Sequence, residues 1–154
     1  MVNNFIKEIP DIDYVFPWVD PTDKKWQEQY KKAKGEDVSL QDSRFRDLGF
    51  LKYTFRSIAK NMPWIRKVHF IVSSPSQVPS WLNKKTVNVV YHKDIIPKQF
   101  LPTFNSDTIE MFLPNIPDLA DKIIYANDDC YTYNLTKPQD FFNVKCNRPI
   151  IRPD

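Results

Sequence analysis

The apolar run Ile123-Ile124-Tyr125-Ala126 ends abruptly at Asn127-Asp128-Asp129. A run of that length and composition fits a buried strand, and three polar side chains in a row close it. Other short runs rich in β-branched and aromatic residues precede it: 14–19, 68–72 and 87–92. Stretches with helical spacing separate them. Strands alternating with helices predict an α/β layer structure with a largely parallel sheet. In such a sheet the strand ends Asp20, His92 and Asn127-Asp128-Asp129 fall on one edge, where open α/β sheets bind ligands. Carboxylates there suit Mg²⁺ or Mn²⁺, ions that usually arrive with substrate phosphates. The same three residues are also ordinary turn formers, and local sequence leaves both readings open.

Composition narrows the classes. In 154 residues, 42% hydrophobic and 27% charged, there is enough apolar material for one domain with its own core. No apolar run reaches the length of a membrane span. Met1-Val2-Asn3-Asn4-Phe5 lacks the basic and apolar regions of a signal peptide, so the expected location is the cytoplasm. A net charge of +3 gives no argument for a nucleic-acid partner. Cys130 and Cys146 lack zinc-ligand spacing and are expected as reduced thiols. The two glycines, Gly35 and Gly49, stand alone, which excludes a glycine-rich phosphate loop. A bound nucleotide would then rely on charged side chains and a metal ion.

Along the chain, Asp20-Pro21-Thr22-Asp23 reads as a turn with N-cap candidates, followed by a mostly exposed helix over 24–34 with Trp26 and Tyr30 paired at i,i+4. A second helix is predicted from near Ser43 to Pro63, on the spacing of Phe45, Leu48, Leu51, Phe55, Ile58 and Met62. That places Arg44 and Arg46 in its first turn, where guanidinium forks could meet phosphate or simply face solvent. Ser106 or Asp107 is expected to cap a helix running to Leu113. Asn105-Ser106 could meet an anion or serve as plain capping residues. Trp18 could stack on a base or pack in the core, and His92 could exchange protons or be structural.

Longer words carry a resemblance. Phe16-Pro17-Trp18-Val19-Asp20 with Asp23, then Arg44-Phe45-Arg46-Asp47 and Leu51-Lys52-Tyr53-Thr54-Phe55-Arg56-Ser57-Ile58, resemble the first two conserved regions of the Stealth family. So do Pro63-Trp64-Ile65-Arg66, Gln77-Val78-Pro79-Ser80-Trp81-Leu82, Leu101-Pro102-Thr103-Phe104-Asn105-Ser106 and Asn127-Asp128-Asp129, in the family's order over roughly residues 12–142. The resemblance implies a single α/β domain, akin to the nucleotide-sugar-binding half of a glycosyltransferase. It also implies transfer of a sugar 1-phosphate from a nucleotide sugar to a glycan hydroxyl in capsular or exopolysaccharide synthesis, with a divalent metal.

By matching position, Trp18, Asp20 and Asp23 would belong to the nucleotide-sugar pocket, and Asn127, Asp128 and Asp129 to the metal and diphosphate site. Arg44 and Asn105 are further candidates for holding the donor. Asp128 and Asp129 would hold the metal and, with Arg46, act in catalysis. Peripheral association with polysaccharide machinery at the inner face of the cell membrane is an expectation of the same kind. Where many relatives carry an acidic residue before the leucine matching Leu51, this chain has Phe50. The family's third and fourth regions do not follow the second, so the expectation is a fragment that binds donor without turning it over. A metal-dependent glycosyltransferase and a noncatalytic carbohydrate- or partner-binding module are the alternatives.

Overall fold

A computed structural model of the chain describes residues 10–40, 42, 45, 48–143, 146 and 148–150. Its centre is a four-stranded sheet of β1 (Ile12–Pro17), β2 (Lys67–Val72), β3 (Asn88–Tyr91) and β4 (Lys122–Tyr125), in the order β3-β2-β1-β4. Every pairing is parallel, as the alternation of strands and helices predicts. The chain steps outward from β1 to β3, then returns to β4 on the other side of β1. That reversal makes the β1/β4 junction a topological switch point.

The pleat divides the core into two layers. Tyr14, Phe16, Phe70 and Val72 face one side and pack under Leu51, Ile58 and Met62. Val15, Ile71 and Val90 face the other, against Ile95, Ile96, Ile109, Leu113 and Ile116. Successive side chains of a strand point to opposite faces, and here both faces are covered. This is why these strands read as continuous apolar runs rather than alternating ones.

Helix α1 (Lys24–Lys34) has the predicted bounds, and Gly35 closes it at φ +76°, in the left-handed region. Trp26 and Tyr30 are buried, with rings 5.4 Å apart. Helix α2 departs from prediction, spanning Leu51–Asn61 rather than starting near Ser43. Gly49 lies at φ +74°, a conformation no α-helix passes through. Phe45, in a turn, packs instead against Trp26 and Tyr30 of α1, at 5.5 and 5.6 Å, while Leu48 is 57% exposed. The apparent periodicity joined two segments that serve different parts of the core.

The predicted third strand ends one residue early, since His92 opens a one-turn helix, α3 (His92–Ile95). Helix α4 (Ser106–Met111) is capped by Asn105, not by Ser106 or Asp107. Glu110 of this helix accepts a hydrogen bond from the Tyr125 hydroxyl at 2.9 Å. A small antiparallel ribbon, β5 (Phe142–Asn143) with β6 (Arg148–Pro149), follows the sheet. Among the described residues no helix is long and apolar enough to cross a membrane.

A buried charge network joins β1, β2 and the segment before β4. Asp13, fully buried, accepts from Arg66 Nε at 2.9 Å and Nη2 at 2.7 Å, and from the Ala120 N–H at 2.9 Å. His69 Nε2 lies 2.9 Å from the same carboxylate, and Asn88 Nδ2 lies 2.8 Å from His69 Nδ1. With Asn88 donating, Nδ1 accepts, so Nε2 carries the proton given to Asp13. Burial pushes the Asp13 carboxyl upward, but hydrogen bonds from Arg66, His69 and Ala120 prevail and bring it to about 2. Burial also lowers His69 below its usual value, against the pull of Asp13. The imidazole is therefore neutral.

Candidate functional site

The carboxyl edge of the sheet carries a cleft of about 340 Å³. Trp18, Asp20 and Thr22 from the loop after β1 form one wall, and Ser76, Gln77, Val78, Pro79 and Trp81 from the loop after β2 form another. Gly49, Leu51 and Lys52, at the amino end of α2, form the third. Burial of the apolar faces of β1, β2 and α2 sets these three backbones. The cleft is thus a consequence of the core.

The loop after β1 is held by side chains that mimic backbone. Asp20 accepts from the Thr22 N–H at 2.8 Å and hydroxyl at 2.6 Å, which closes a tight turn. The buried carboxamide of Gln77 accepts from the Asp20 N–H at 2.6 Å and donates to the Asp20 carbonyl at 3.1 Å and Asp23 Oδ2 at 2.9 Å. Asp23 N-caps α1 by accepting from the Lys25 N–H at 2.9 Å, and also takes the Ser76 hydroxyl at 2.6 Å. Partial burial raises the Asp23 carboxyl, but bonds from Ser76, Gln77 and the helix N–H groups outweigh it and hold the carboxyl low.

The acidic turn lies against α2, and none of Asn127, Asp128 and Asp129 is in the cleft lining. The strand ladder ends with the Ala126 N–H donating to Val15 O at 3.1 Å, and the Cys130 N–H then donates to Asn127 O at 3.1 Å. Asn127–Cys130 is thus the turn its residue types suggest. Fully buried Thr54, in the first turn of α2, donates its hydroxyl to the Asp128 carbonyl. Farther along, Asn61 Nδ2 donates to Thr132 O at 2.6 Å, and Trp64 Nε1 to Thr136 O at 2.9 Å. One helix therefore walls the cleft and anchors the segment that follows β4.

The amino end of α2 is electropositive. Its N-cap residue, Phe50, makes no side-chain cap bond, and its first turn contains no acidic residue. It carries Lys52 instead, at the positive end of the helix dipole, where a cation is disfavoured unless an anion joins it. Backbone N–H groups at such an end are suited to phosphate. Lys52 Nζ also lies 5.5 Å from the Trp81 ring centroid.

The predicted site residues divide accordingly. Trp18 and Asp20 line the cleft, with the Trp18 ring packed 5.8 Å from Phe70. Asp23 supports the cleft from behind. Asn127 opens the acidic turn and Asp128 lies within it, half-buried, while Asp129 is exposed. Asn105 accepts from the Asp107 N–H at 2.8 Å as the cap of α4, outside the cleft lining. Arg44 and Arg46 lie outside the described residues. His92 is buried at the foot of α3, and burial pushes its imidazole down to about 4.

Sequence reasoning gave no site role to Gln77, Thr54, Lys52 or Trp81. Lys52 left no signal, because its place at a helix start depends on the break at Gly49 that hydrophobic spacing runs through. Gln77 and Thr54 left none, because their partners are 57 and 74 residues away.

Among the described residues, no group of three or more His, Cys, Asp or Glu side chains could hold a metal. A closed all-protein site is therefore not built from them. Asp128 and Asp129 do fit the way Mg²⁺ is commonly held, by one or two carboxylates with phosphate oxygens completing the shell.

Residues 10–38 match Stealth protein CR1, conserved region 1, and residues 44–149 match Stealth protein CR2, conserved region 2. This chain belongs to the Stealth family. An exopolysaccharide phosphotransferase of Lactiplantibacillus plantarum is 41% identical over 138 residues, which cover 86% of this chain and 40% of that protein. A capsular polysaccharide phosphotransferase of Streptococcus pneumoniae is 39% identical over 143 residues, covering 89% of this chain and 42% of the relative. One from Neisseria meningitidis serogroup B is 39% identical over 152 residues, covering 92% and 40%. The chain thus spans about two fifths of the length of these relatives.

Proposed function

We propose that this chain forms the donor-binding half of a phosphotransferase of capsular or exopolysaccharide synthesis, and that its donor is a nucleotide sugar. The observation that carries the reading is the amino end of α2, which opens with Lys52 and no carboxylate in its first turn into a cleft walled by Trp18 and Trp81. Helix N–H groups and one ammonium suit a diphosphate, and indole faces suit a base or sugar ring. The names of the similar proteins support phosphotransfer and a polysaccharide setting.

In this reading a glycan hydroxyl displaces nucleoside monophosphate at the phosphorus that bears the sugar, leaving a phosphodiester. Such a reaction depends on positioning and charge neutralisation. The α2 amino end and Lys52 hold the donor phosphates, while Trp18 and Trp81 orient its rings. Gln77 and Asp23 fix the β1 loop that presents Trp18 and Asp20. A divalent ion held by Asp128 and Asp129 would supply further neutralisation of phosphate charge. The setting is cytoplasmic, beside the membrane-bound polysaccharide machinery.

Two measurements test this. Calorimetric titration of the chain with a panel of nucleotide sugars should show binding in Mg²⁺ or Mn²⁺ that chelator abolishes. Lys52→Ala should weaken it by roughly tenfold or more, the range for a lost charge-assisted contact. Equal affinity with and without chelator would remove the metal from the reading. For the full-length protein, the nucleotide released decides the reaction. Monophosphate supports phosphotransfer and diphosphate supports glycosyl transfer. No release from any donor supports a binding module.

A further inference from the structure

We propose that the outward face of α2, together with Tyr131, is the subsite for an anionic, phosphodiester-containing glycan acceptor, a proposal that rests on the donor reading of the adjoining cleft. Tyr53, Arg56, Ser57 and Lys60 recur at i, i+3, i+4 and i+7, forming one stripe about 10 Å long on the side of α2 away from the sheet. Phe50 stands at its amino end, and Tyr131, from the segment after the acidic turn, completes a shallow groove of about 480 Å³. The Phe50 and Tyr131 rings are 6.4 Å apart.

Three features give this groove its chemistry. Its rings are open to solvent: Tyr53 is 57% exposed and Tyr131 53%. Its charges have one sign: among the described residues, Arg56 and Lys60 line it with no carboxylate. Arg56 lies 5.9 Å from the Tyr53 ring centroid, and neither cation enters an ion pair among the described residues. Pyranose rings present C–H faces that pack on aromatic rings, whose faces are electronegative. A neutral glycan would leave the two cations without partners. A chain already carrying phosphodiesters, the product of earlier transfers, satisfies rings and cations together.

Position agrees with chemistry. Gly49, Leu51 and Lys52 face the donor cleft, while Phe50 and Tyr53 face the groove. The two sites flank the same helical turn, and Thr54 in that turn holds Asp128. An acceptor laid along the stripe brings its end to the amino end of α2, where the donor phosphates would sit.

The test titrates isotope-labelled chain with a tetramer of glucose units joined by phosphodiesters, beside maltotetraose and inorganic tripolyphosphate. Amide shifts should map to Phe50, Tyr53, Arg56, Lys60 and Tyr131 for the phosphorylated tetramer, with an affinity that falls as salt rises. Tyr53→Ala or Tyr131→Ala should weaken binding roughly 3- to 10-fold, and Arg56→Gln with Lys60→Gln should flatten the salt dependence. All four positions are exposed, so thermal unfolding should match the parent. Equal binding by parent and variants, shifts mapping elsewhere, or equally tight binding of tripolyphosphate would overturn the proposal. A chain dimer that Tyr53→Ala dissociates would also overturn it, since the face would then belong to a second copy. Nucleotide-sugar binding is measured on the same variants. If it persists while tetramer binding is absent, the acceptor proposal alone fails; tetramer binding without nucleotide-sugar binding removes the donor reading and leaves a glycan-binding face.

Discussion

Gln77 and Asp20 exchange two hydrogen bonds, with the Asp20 N–H donating to Gln77 Oε1 at 2.6 Å and Gln77 Nε2 donating to the Asp20 carbonyl at 3.1 Å. The side-chain amide stands where a neighbouring strand would be and extends the β1/β2 pairing beyond its last backbone rung. Replacing it leaves buried polar groups unsatisfied. Gln77→Leu should cost about 1–3 kcal/mol. Gln77→Glu should be worse, since a second carboxylate would meet Asp23 Oδ2, 2.9 Å away in the parent. Denaturant unfolding of both variants measures this; parent-like stability in each would show that water replaces the amide freely.

The acidic turn separates binding from stability. If Asp128 and Asp129 hold a divalent ion, their charges repel when it is removed. Asp129→Asn should then leave metal-free stability unchanged or slightly raised, while metal-dependent nucleotide-sugar binding falls sharply in both Asp128→Asn and Asp129→Asn. A turn-only role predicts the opposite pattern. Melting of metal-free protein and calorimetry with donor and metal, run on the same samples, distinguish the two.

His92 should give the fold a pH slope. Its imidazole is pushed by burial from 6.5 to about 4, so between these values the unfolded chain binds more protons than the folded one. Stability from this group is full above about pH 6.5, declines as pH falls, and levels off below about pH 4, a loss of roughly 3 kcal/mol. His92→Gln should flatten that window in unfolding measured from pH 7 to 4. An unchanged slope would show that other groups produce it.

Arg66 and Asp13 are a buried pair whose halves are unequal. Asp13 is fully buried, whereas the Arg66 side chain is 27% exposed. Removing Arg66 strands the carboxylate, and Arg66→Ala should cost about 3–5 kcal/mol. The His69 imidazole, now alone beside Asp13, should titrate at higher pH than in the parent. NMR titration of His69 reads this directly; an unmoved titration would mean that solvent already screens Arg66 from the site.

Much of the chain was legible before its structure. Helix α1 matches its predicted bounds because Asp23 and Gly35 supply local start and stop signals. The parallel sheet was legible because its strands, covered on both faces, have to be apolar throughout. The start of α2 was misplaced because hydrophobic spacing ran through Gly49, whose positive φ no periodicity records. Asn105 was recognised as a capping residue, yet the cap was assigned one or two places later, since Asn, Ser and Asp are all good caps.

What sequence alone determined was chemistry and order: which residues form strands, where acidic groups end them, and which family words follow one another. Tertiary structure decided adjacency. It placed β4 beside β1, so that strand ends far apart in sequence, Pro17 and Tyr125, border one switch point. It turned Gln77 and Thr54 into the supports of the cleft and the acidic turn, and set Lys52 in the first turn of α2. The physical reason is range. Caps, turns and periodicity are set by contacts a few residues apart, whereas a site at a sheet edge exists only once burial of both sheet faces has fixed the order of the strands.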